Sequence, residues 1–186
     1  ILGYNHPKVN EAISKQLEKG ISFSLTHSLE VEVAEMLCER IPCAELVRFA
    51  KNGNDVTTAA IRLARYVKKS DHVLFCGYHG WQDWYASQTS MSGGIPSAIK
   101  KYSHRFLYNN LNDLEDLLIK YKGNTACIIM EATNIIEPQC NSLCEKCKSI
   151  GSCSGYLEAV RELADKYNTL LIFDEVVTGF RFDRGG

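Results

Sequence analysis

The strongest constraint on the fold is a repeated switch between short apolar runs and segments with helical spacing of apolar residues. The apolar runs lie at residues 46–50, 72–76, 105–108, 125–130 and 169–173. Helical spacing separates most of them, at about residues 56–67, 112–121 and 156–167. Strands that alternate with helices form parallel sheets covered on both faces. We therefore predict an α/β fold, a three-layer sandwich with a mostly parallel central sheet.

Two further helices are predicted before the first apolar run, at residues 7–20 and 28–41. Pro7 and Ser28 are typical of a first helical turn and of a helix cap, respectively. The second helix is expected to bury Leu29, Val33, Met36 and Leu37. The helix after residue 55 is expected to present Ala59, Ala60, Leu63, Ala64 and Val67 on one face.

Charge and hydropathy exclude several classes of partner. The formal net charge is −1, which gives no electrostatic basis for binding nucleic acid or an anionic membrane. No apolar run approaches the ~20 residues that span a bilayer, and no signal peptide is visible. We expect a cytoplasmic protein.

The chain starts at Ile1 without an initiator Met and ends at Gly186 soon after a strand, so we interpret it as a fragment.

Ligands of parallel sheets collect at the carboxyl ends of the strands, so motifs in that position are candidates for a site. The first is the turn Asn52-Gly53-Asn54, which lies between a predicted strand and a helix. Free backbone N–H groups and the helix dipole at such a turn favour a phosphate. The alternative is a turn whose Asn and Gly serve the backbone conformation only.

The second motif is Gly77-Tyr78-His79-Gly80-Trp81, directly after the strand that ends at residue 76. The flanking glycines would expose an aromatic ring on which a planar cofactor could stack. The alternative is an ordinary turn whose aromatic side chains pack on a neighbouring loop.

The third motif places Asp174 at the end of the apolar run 170–173. A carboxylate in that position can bind a metal ion or a protonated ring nitrogen. The alternative is a helix cap or a surface charge, but a carboxylate at the edge of a buried strand is costly unless it is paired.

Taken together, these motifs resemble those of the class III, fold type I aminotransferases, which depend on pyridoxal phosphate. The resemblance extends from residues 2–7 to 178–181, and its most specific element is Asp-Glu-Val-x-Thr-Gly-Phe-Arg at 174–181. The motifs resemble especially the glutamate-1-semialdehyde aminomutase branch. The resemblance implies that the chain is part of the large, cofactor-binding domain over residues 1–186, without an N-terminal segment and the C-terminal small domain.

The resemblance implies that Asn52, Gly53 and Asn54 hold the cofactor phosphate. The family usually has Ser-Gly-Thr at this turn, so amides replace hydroxyl donors here while the backbone donors remain.

The same resemblance implies the contacts of the pyridine ring. Tyr78 matches the stacking aromatic residue, with His79 beside it, and Val176 matches the residue on the other face. Asp174 matches the partner of the ring nitrogen. Glu131 aligns with a family glutamate near the cofactor, although Ala132 replaces its usual Pro neighbour.

The implied activity is amino transfer or amino migration on small amino and keto substrates, through a Schiff base with a lysine, in a homodimer. That lysine follows the Asp-Glu-Val strand in the family, whereas this sequence has no lysine after Lys166. We therefore predict no catalytic residue in this chain and no turnover by it alone. The alternative is a metal-binding interaction module on a degenerate transferase scaffold.

Eight cysteines fall into two groups. Cys38, Cys43, Cys76 and Cys127 lie in apolar runs and are predicted to be buried free thiols. Cys140, Cys144, Cys147 and Cys153 form a cluster in an insertion at about 139–154, which most family members lack. Their spacing suits structural zinc, with an iron–sulfur cluster, free thiols or disulfides as alternatives.

Overall fold

Four parallel strands form the sheet of this chain, in the order β2-β1-β3-β4. They are β1 (His72–Cys76), β2 (Ser103–Arg105), β3 (Thr125–Glu131) and β4 (Leu170–Asp174). The computed structural model describes residues 1–133, 135–139 and 155–186. The predicted parallel α/β fold is confirmed.

The helices are α1 (Pro7–Leu17), α2 (Ser28–Arg40), α3 (Gly53–Lys68), α4 (Asp83–Ala86), α5 (Leu111–Lys120) and α6 (Gly155–Lys166), with a 3-10 turn at Ile99–Tyr102. None of these helices in the described ranges is long and apolar enough to cross a membrane. The chain divides into two units, residues 1–49 with 179–186 and residues 50–178. The extent predicted for one large domain, 1–186, stays a prediction.

Alternate side chains of the strands point into two separate cores, which makes the second unit a three-layer structure. One core, with α5 and α6, contains Leu74, Cys76, Phe106, Leu114, Leu118, Ile128, Met130, Tyr156, Val160 and Ala164. The other, with α3 and α4, contains Ile61, Ala64, Val73, Phe75, Trp84, Tyr85, Ala126, Cys127 and Ile129. Strand β3 is buried on both faces, as its continuous apolar sequence predicts.

Helix α3 buries a face that shares only Ala64 with the face predicted. Its buried residues are Thr57, Ile61 and Ala64, whereas Leu63 and Val67 are 62% and 58% exposed within the described chain. The helix carries two apolar stripes, and spacing alone does not indicate which of them faces the sheet. The prediction for α2 is also wrong, because none of its residues is buried and Leu29, Val33 and Met36 are exposed.

Two strand predictions need correction. Residues 46–50 do not form a strand, because this run pairs with no other strand among the described residues. Its apolar side chains are also not buried in a core, and Leu46 is 92% exposed. The run at 105–108 contributes only its first residue to β2, which pairs with β1 from Ser103 onward. Buried Phe106 follows, and its N–H still donates to the Phe75 carbonyl oxygen at 3.0 Å.

The four cysteines outside the cluster are free thiols, as predicted. Cys76 and Cys127 are buried, which raises the pKa of each thiol to about 12. The expected burial is wrong for Cys43, which is exposed, and only partly met by Cys38.

Two histidines at the sheet predict a pH-dependent stability. His72 Nδ1 and His104 Nε2 lie 2.8 Å apart, and both rings stack on Tyr121. Burial, the neighbouring His72 and Lys120 lower the pKa of His104 to about 4. An unfolded histidine titrates near 6.5, so the unfolded chain binds more protons than the folded chain between pH 6.5 and pH 4. Stability should therefore fall as the pH is lowered through that window.

This effect can be measured as the denaturant midpoint of the full-length protein at pH 7.5, 6, 5 and 4. Replacing His104 with Gln should flatten the loss below pH 6.5, because the depressed titration is removed. An unchanged pH profile in His104→Gln would show that the pair does not carry the effect.

Candidate cofactor site

A cavity of about 230 Å³ lies at the carboxyl ends of β1, β3 and β4 and at the first turn of α3. Its lining consists of Asn52, Gly53, Asn54, Thr57, Tyr78, His79, Gly80, Glu131, Asp174, Val176 and Val177. All eight residues that the sequence suggests for the cofactor are in this set. The fold brings them together, and their contact with a cofactor stays a prediction.

The first turn of α3 forms one side of the cavity. Asn52 is the helix cap, and its backbone N–H donates to Asp55 Oδ2 at 3.1 Å in a capping box. The N–H groups of Gly53 and Asn54 open the helix and have no partner within it. Their hydrogen atoms carry a positive partial charge and lie at the cavity, and a positive charge in that position favours a phosphate.

Val176 packs directly on this turn. A Cβ added to Gly53 would lie 2.9 Å from Val176 Cγ2, closer than carbon atoms approach in proteins. The absence of a side chain at Gly53 therefore lets the segment after β4 and the helix turn approach each other.

This contact gives a testable pair of substitutions. Gly53→Ala should destabilise the full-length protein by about 1 kcal/mol, the low end of the range for overpacking, because Val176 is 66% exposed and can yield in part. Val176→Ala should restore stability in the double variant, because it removes the methyl group in the way. Thermal unfolding of the four proteins measures this, and strictly additive losses would contradict the proposed contact.

The loop after β1 depends on two glycines in the left-handed region. Gly77 has φ +102°, and an added Cβ would lie 2.5 Å from Glu131 Oε2. The same carboxylate oxygen accepts a hydrogen bond from the Tyr78 N–H at 3.1 Å. The Tyr78 ring is 68% exposed and meets Tyr85 edge-on at 5.7 Å. Glu131 thus fixes the backbone that presents Tyr78 at the cavity.

His79 and Asp174 form a buried pair beside the cavity. His79 Nδ1 lies 2.7 Å from Asp174 Oδ2, and His79 Nε2 lies 3.0 Å from the Cys76 carbonyl oxygen. A carbonyl oxygen only accepts, so Nε2 carries a hydrogen and donates it. One further proton must lie between Nδ1 and Oδ2, because two lone pairs would repel at that distance.

The Asp174 carboxyl favours its ionised form. Burial alone would raise its pKa, but the hydrogen bond from His79, the Val176 N–H and the nearby His79 charge together hold the pKa below the usual value. The Val176 N–H donates to Asp174 Oδ1 at 3.1 Å. A carboxylate accepts about four hydrogen bonds. Asp174 therefore keeps acceptor capacity for a protonated ligand in the cavity.

The His79–Asp174 contact could not be read from the sequence, in which the two residues are 95 positions apart. The lining residues Thr57, Gly80 and Val177 were also missed as site residues. Gly80 lies within the recognised motif, and its glycine is the signal that could have drawn attention to it.

The predicted metal ligands Cys140, Cys144, Cys147 and Cys153 lie outside the described residues. Within the ranges that the structure describes, there is no group of three or more His, Cys, Asp or Glu side chains suited to a metal ion.

A family model described as aminotransferase class-III matches residues 1–186, the whole chain. The chain belongs to the class-III aminotransferase family. The family predicted from the motifs is therefore confirmed.

The similarity to individual aminotransferases supports this membership. The 3-aminobutyryl-CoA aminotransferase of Cloacimonas acidaminovorans (strain Evry) is 40% identical over 187 residues, which are 100% of this chain and 42% of that protein. An omega-transaminase from Sphaerobacter thermophilus matches with a TM-score of 0.83 and 26% identity, over 99% of this chain and 43% of that one.

A glutamate-1-semialdehyde-aminomutase from Pseudomonas aeruginosa PAO1 is among the structural neighbours, with a TM-score of 0.72 and 22% identity, over 95% of this chain and 39% of that one. At that identity the match shows the fold of class-III aminotransferases alone. The chain spans about two-fifths of the length of the relatives that it matches.

Proposed function

We propose that the full-length protein is a pyridoxal-phosphate-dependent aminotransferase or aminomutase, and that the cavity at the sheet edge holds the cofactor. The observation that carries this proposal is a buried carboxylate and a helix N-terminus in the same cavity, with hydrogen bonds from His79 and Val176 that hold the pKa of the carboxyl below its usual value. The first suits a protonated ring nitrogen and the second suits a phosphate.

The residues present fit this cofactor at each of its parts. The N–H groups of Gly53 and Asn54 would hold the phosphate, while Tyr78 and Val176 offer an aromatic face and an apolar wall for a flat ring. Asp174 has acceptor capacity left for the ring nitrogen. The replacement of the family's hydroxyl side chains by amides at residues 52 and 54 leaves the backbone donors intact.

When bound, pyridoxal phosphate supplies an electron-accepting ring that stabilises the electron pair left when a substrate Cα–H bond breaks. In this chain, Asp174 would keep a proton on the ring nitrogen, because a buried carboxylate stabilises a positive charge next to it. His79 would keep Asp174 ionised and correctly turned. Glu131 would hold the loop that carries Tyr78.

The proposed substrates are small amino and keto compounds. The relative from Cloacimonas is named for a 3-aminobutyryl thioester of coenzyme A, so a β-amino acyl thioester belongs among the amine donors to be tested. Amino transfer to a second molecule and migration within one molecule are distinguished by whether a keto co-substrate is consumed.

The experiment uses the full-length protein loaded with pyridoxal phosphate. Addition of an amine donor without a keto acceptor should bleach the bound chromophore and release one keto product per site. Addition of the acceptor should restore the chromophore. A folded full-length protein that takes up no cofactor, or takes it up without any change on exposure to a panel of donors, would refute the proposed function.

We also propose a homodimer in the cytoplasm, on the basis of family membership. Val9, Ile13 and Leu17 form an exposed apolar stripe on α1 within its own unit, and such a stripe needs a surface to cover it. Sedimentation of the full-length protein tests this. A monomer at micromolar concentration would contradict it.

From thiolate spacing alone, we propose that Cys140, Cys144, Cys147 and Cys153 bind structural zinc. Metal analysis of the full-length protein should give one zinc per chain, which Cys144→Ser should lower. Iron with acid-labile sulfide would indicate a cluster instead, and no metal would indicate free thiols or disulfides.

A further inference from the structure

The Asn54 side chain bridges the first turn of α3 and the loop after β1. In the orientation that satisfies both of its groups, Asn54 Oδ1 accepts from Trp81 Nε1 at 2.8 Å and its amide nitrogen donates to the His79 carbonyl oxygen at 3.3 Å. Turned over, the amide oxygen accepts from the Trp81 backbone N–H at 3.3 Å. In either orientation, the amide bonds to the segment 79–81.

Gly80 makes this approach feasible. A Cβ added to Gly80 would lie 1.5 Å from the nearer terminal atom of the Asn54 amide, whichever way the amide is turned, and Gly80 has φ +98°. The amide therefore occupies the space that any other residue at position 80 would fill. The turn and the loop meet over this glycine.

We propose that the Asn54 side chain is a positioning residue and not a phosphate ligand. It links the turn at residues 52–54 to the loop 79–81 and so holds His79 against Asp174. This inference rests on the proposed function. Both amide groups of Asn54 are engaged by the segment 79–81, the oxygen by Trp81 Nε1 and the nitrogen by the His79 carbonyl oxygen, so the side chain is held toward that loop and the backbone N–H is left to face a phosphate.

The effect of Asn54 should therefore reach the far end of the cofactor. The amide holds the His79 backbone, and the His79 ring is bonded to Asp174 at 2.7 Å. Loss of the amide would loosen His79 and, through it, the carboxylate that faces the ring nitrogen. A phosphate ligand would act on the phosphate alone.

Two ligands separate these roles in the full-length protein: pyridoxal phosphate and pyridoxal, which lacks the phosphate. We expect Asn54→Ala to weaken both by the same factor, about 5- to 30-fold for one or two lost hydrogen bonds, with their affinity ratio unchanged. If Asn54 were a phosphate ligand, the variant would weaken pyridoxal phosphate alone and the ratio would fall. That result would overturn the inference.

A second variant tests the contact between Asn54 and Trp81 from the Trp81 side. Trp81→Phe removes the Nε1 donor at an exposed position, so it should weaken both ligands in the same proportion. The double variant should lose less than the product of the two single losses, because they break one contact. Independent, fully multiplicative losses would overturn the inference. If Asn54→Ala does not fold, Trp81→Phe alone decides, and a loss confined to pyridoxal phosphate, with pyridoxal binding unchanged, would overturn the inference.

A spectroscopic readout distinguishes positioning from general loosening. Asn54 is proposed to act on the cofactor through His79 and Asp174, and Asp174 faces the ring nitrogen. Asn54→Ala should therefore shift the pH at which the bound cofactor changes colour. Asn112→Ala, at an exposed position on α5, is the matched control and should leave that pH and both affinities unchanged. An unshifted titration in Asn54→Ala would contradict a role through Asp174. Failure of the unaltered protein to bind either ligand would instead refute the proposed function.

Discussion

Replacing Asp174 with alanine should weaken binding of pyridoxal phosphate by the full-length protein about 10- to 100-fold, the loss expected for one hydrogen bond to a charged group. Two carboxylates line the proposed site, Asp174 and Glu131. Glu131 is bonded to the Tyr78 N–H, so the buried Asp174 carboxylate is the one that would place negative charge beside the ring nitrogen. Turnover should fall further than affinity, because the protonated ring nitrogen matters most when the substrate Cα–H bond breaks.

Two companion variants sharpen this prediction. Asp174→Asn keeps the shape of the side chain but not its charge, so it should bind the cofactor better than Asp174→Ala and yet turn over poorly. Asp116→Ala removes an exposed carboxylate on α5 and should change neither quantity. Equilibrium titration of cofactor absorbance and single-turnover rates provide the measurements. Full activity in Asp174→Asn would contradict the role of its charge.

Truncation of Ile128 to alanine should destabilise the fold by about 2–5 kcal/mol, the range for large-to-small changes in a core. Ile128 is fully buried in β3, with Leu74 of β1 and Leu171 of β4 opposite it in register. A cavity there would reach both neighbouring strands and the core against α5 and α6.

The matched control is Ile119→Ala on α5, where the side chain is 56% exposed and the loss should stay below about 1 kcal/mol. Denaturant midpoints of the full-length protein give the comparison. Equal losses for the two variants would show that β3 is not the centre of the core.

The parallel α/β layers were predictable because the strongest sequence signal, the apolar run of β3, reports burial on both faces. The errors arose where apolar residues are not buried in their own unit. Residues 46–50 and the stripe of α3 that includes Leu63 and Val67 are apolar but exposed, and spacing does not reveal what an apolar face contacts.

The cavity lining was predictable for a different reason. Parallel strands place their carboxyl ends at one edge, so motifs that directly follow strands must meet there. The pairing of His79 with Asp174 and the Asn54 amide on the loop 79–81 were not predictable, because they depend on side-chain directions across that edge. Local sequence contains no record of such contacts.

A crystal structure of the full-length protein with pyridoxal phosphate is the most direct measurement of the central claim. We predict density for the phosphate at the N–H groups of residues 53 and 54, and a hydrogen bond between the ring nitrogen and Asp174. Density for the cofactor at another site, or in this cavity with its phosphate away from that turn, would contradict the account.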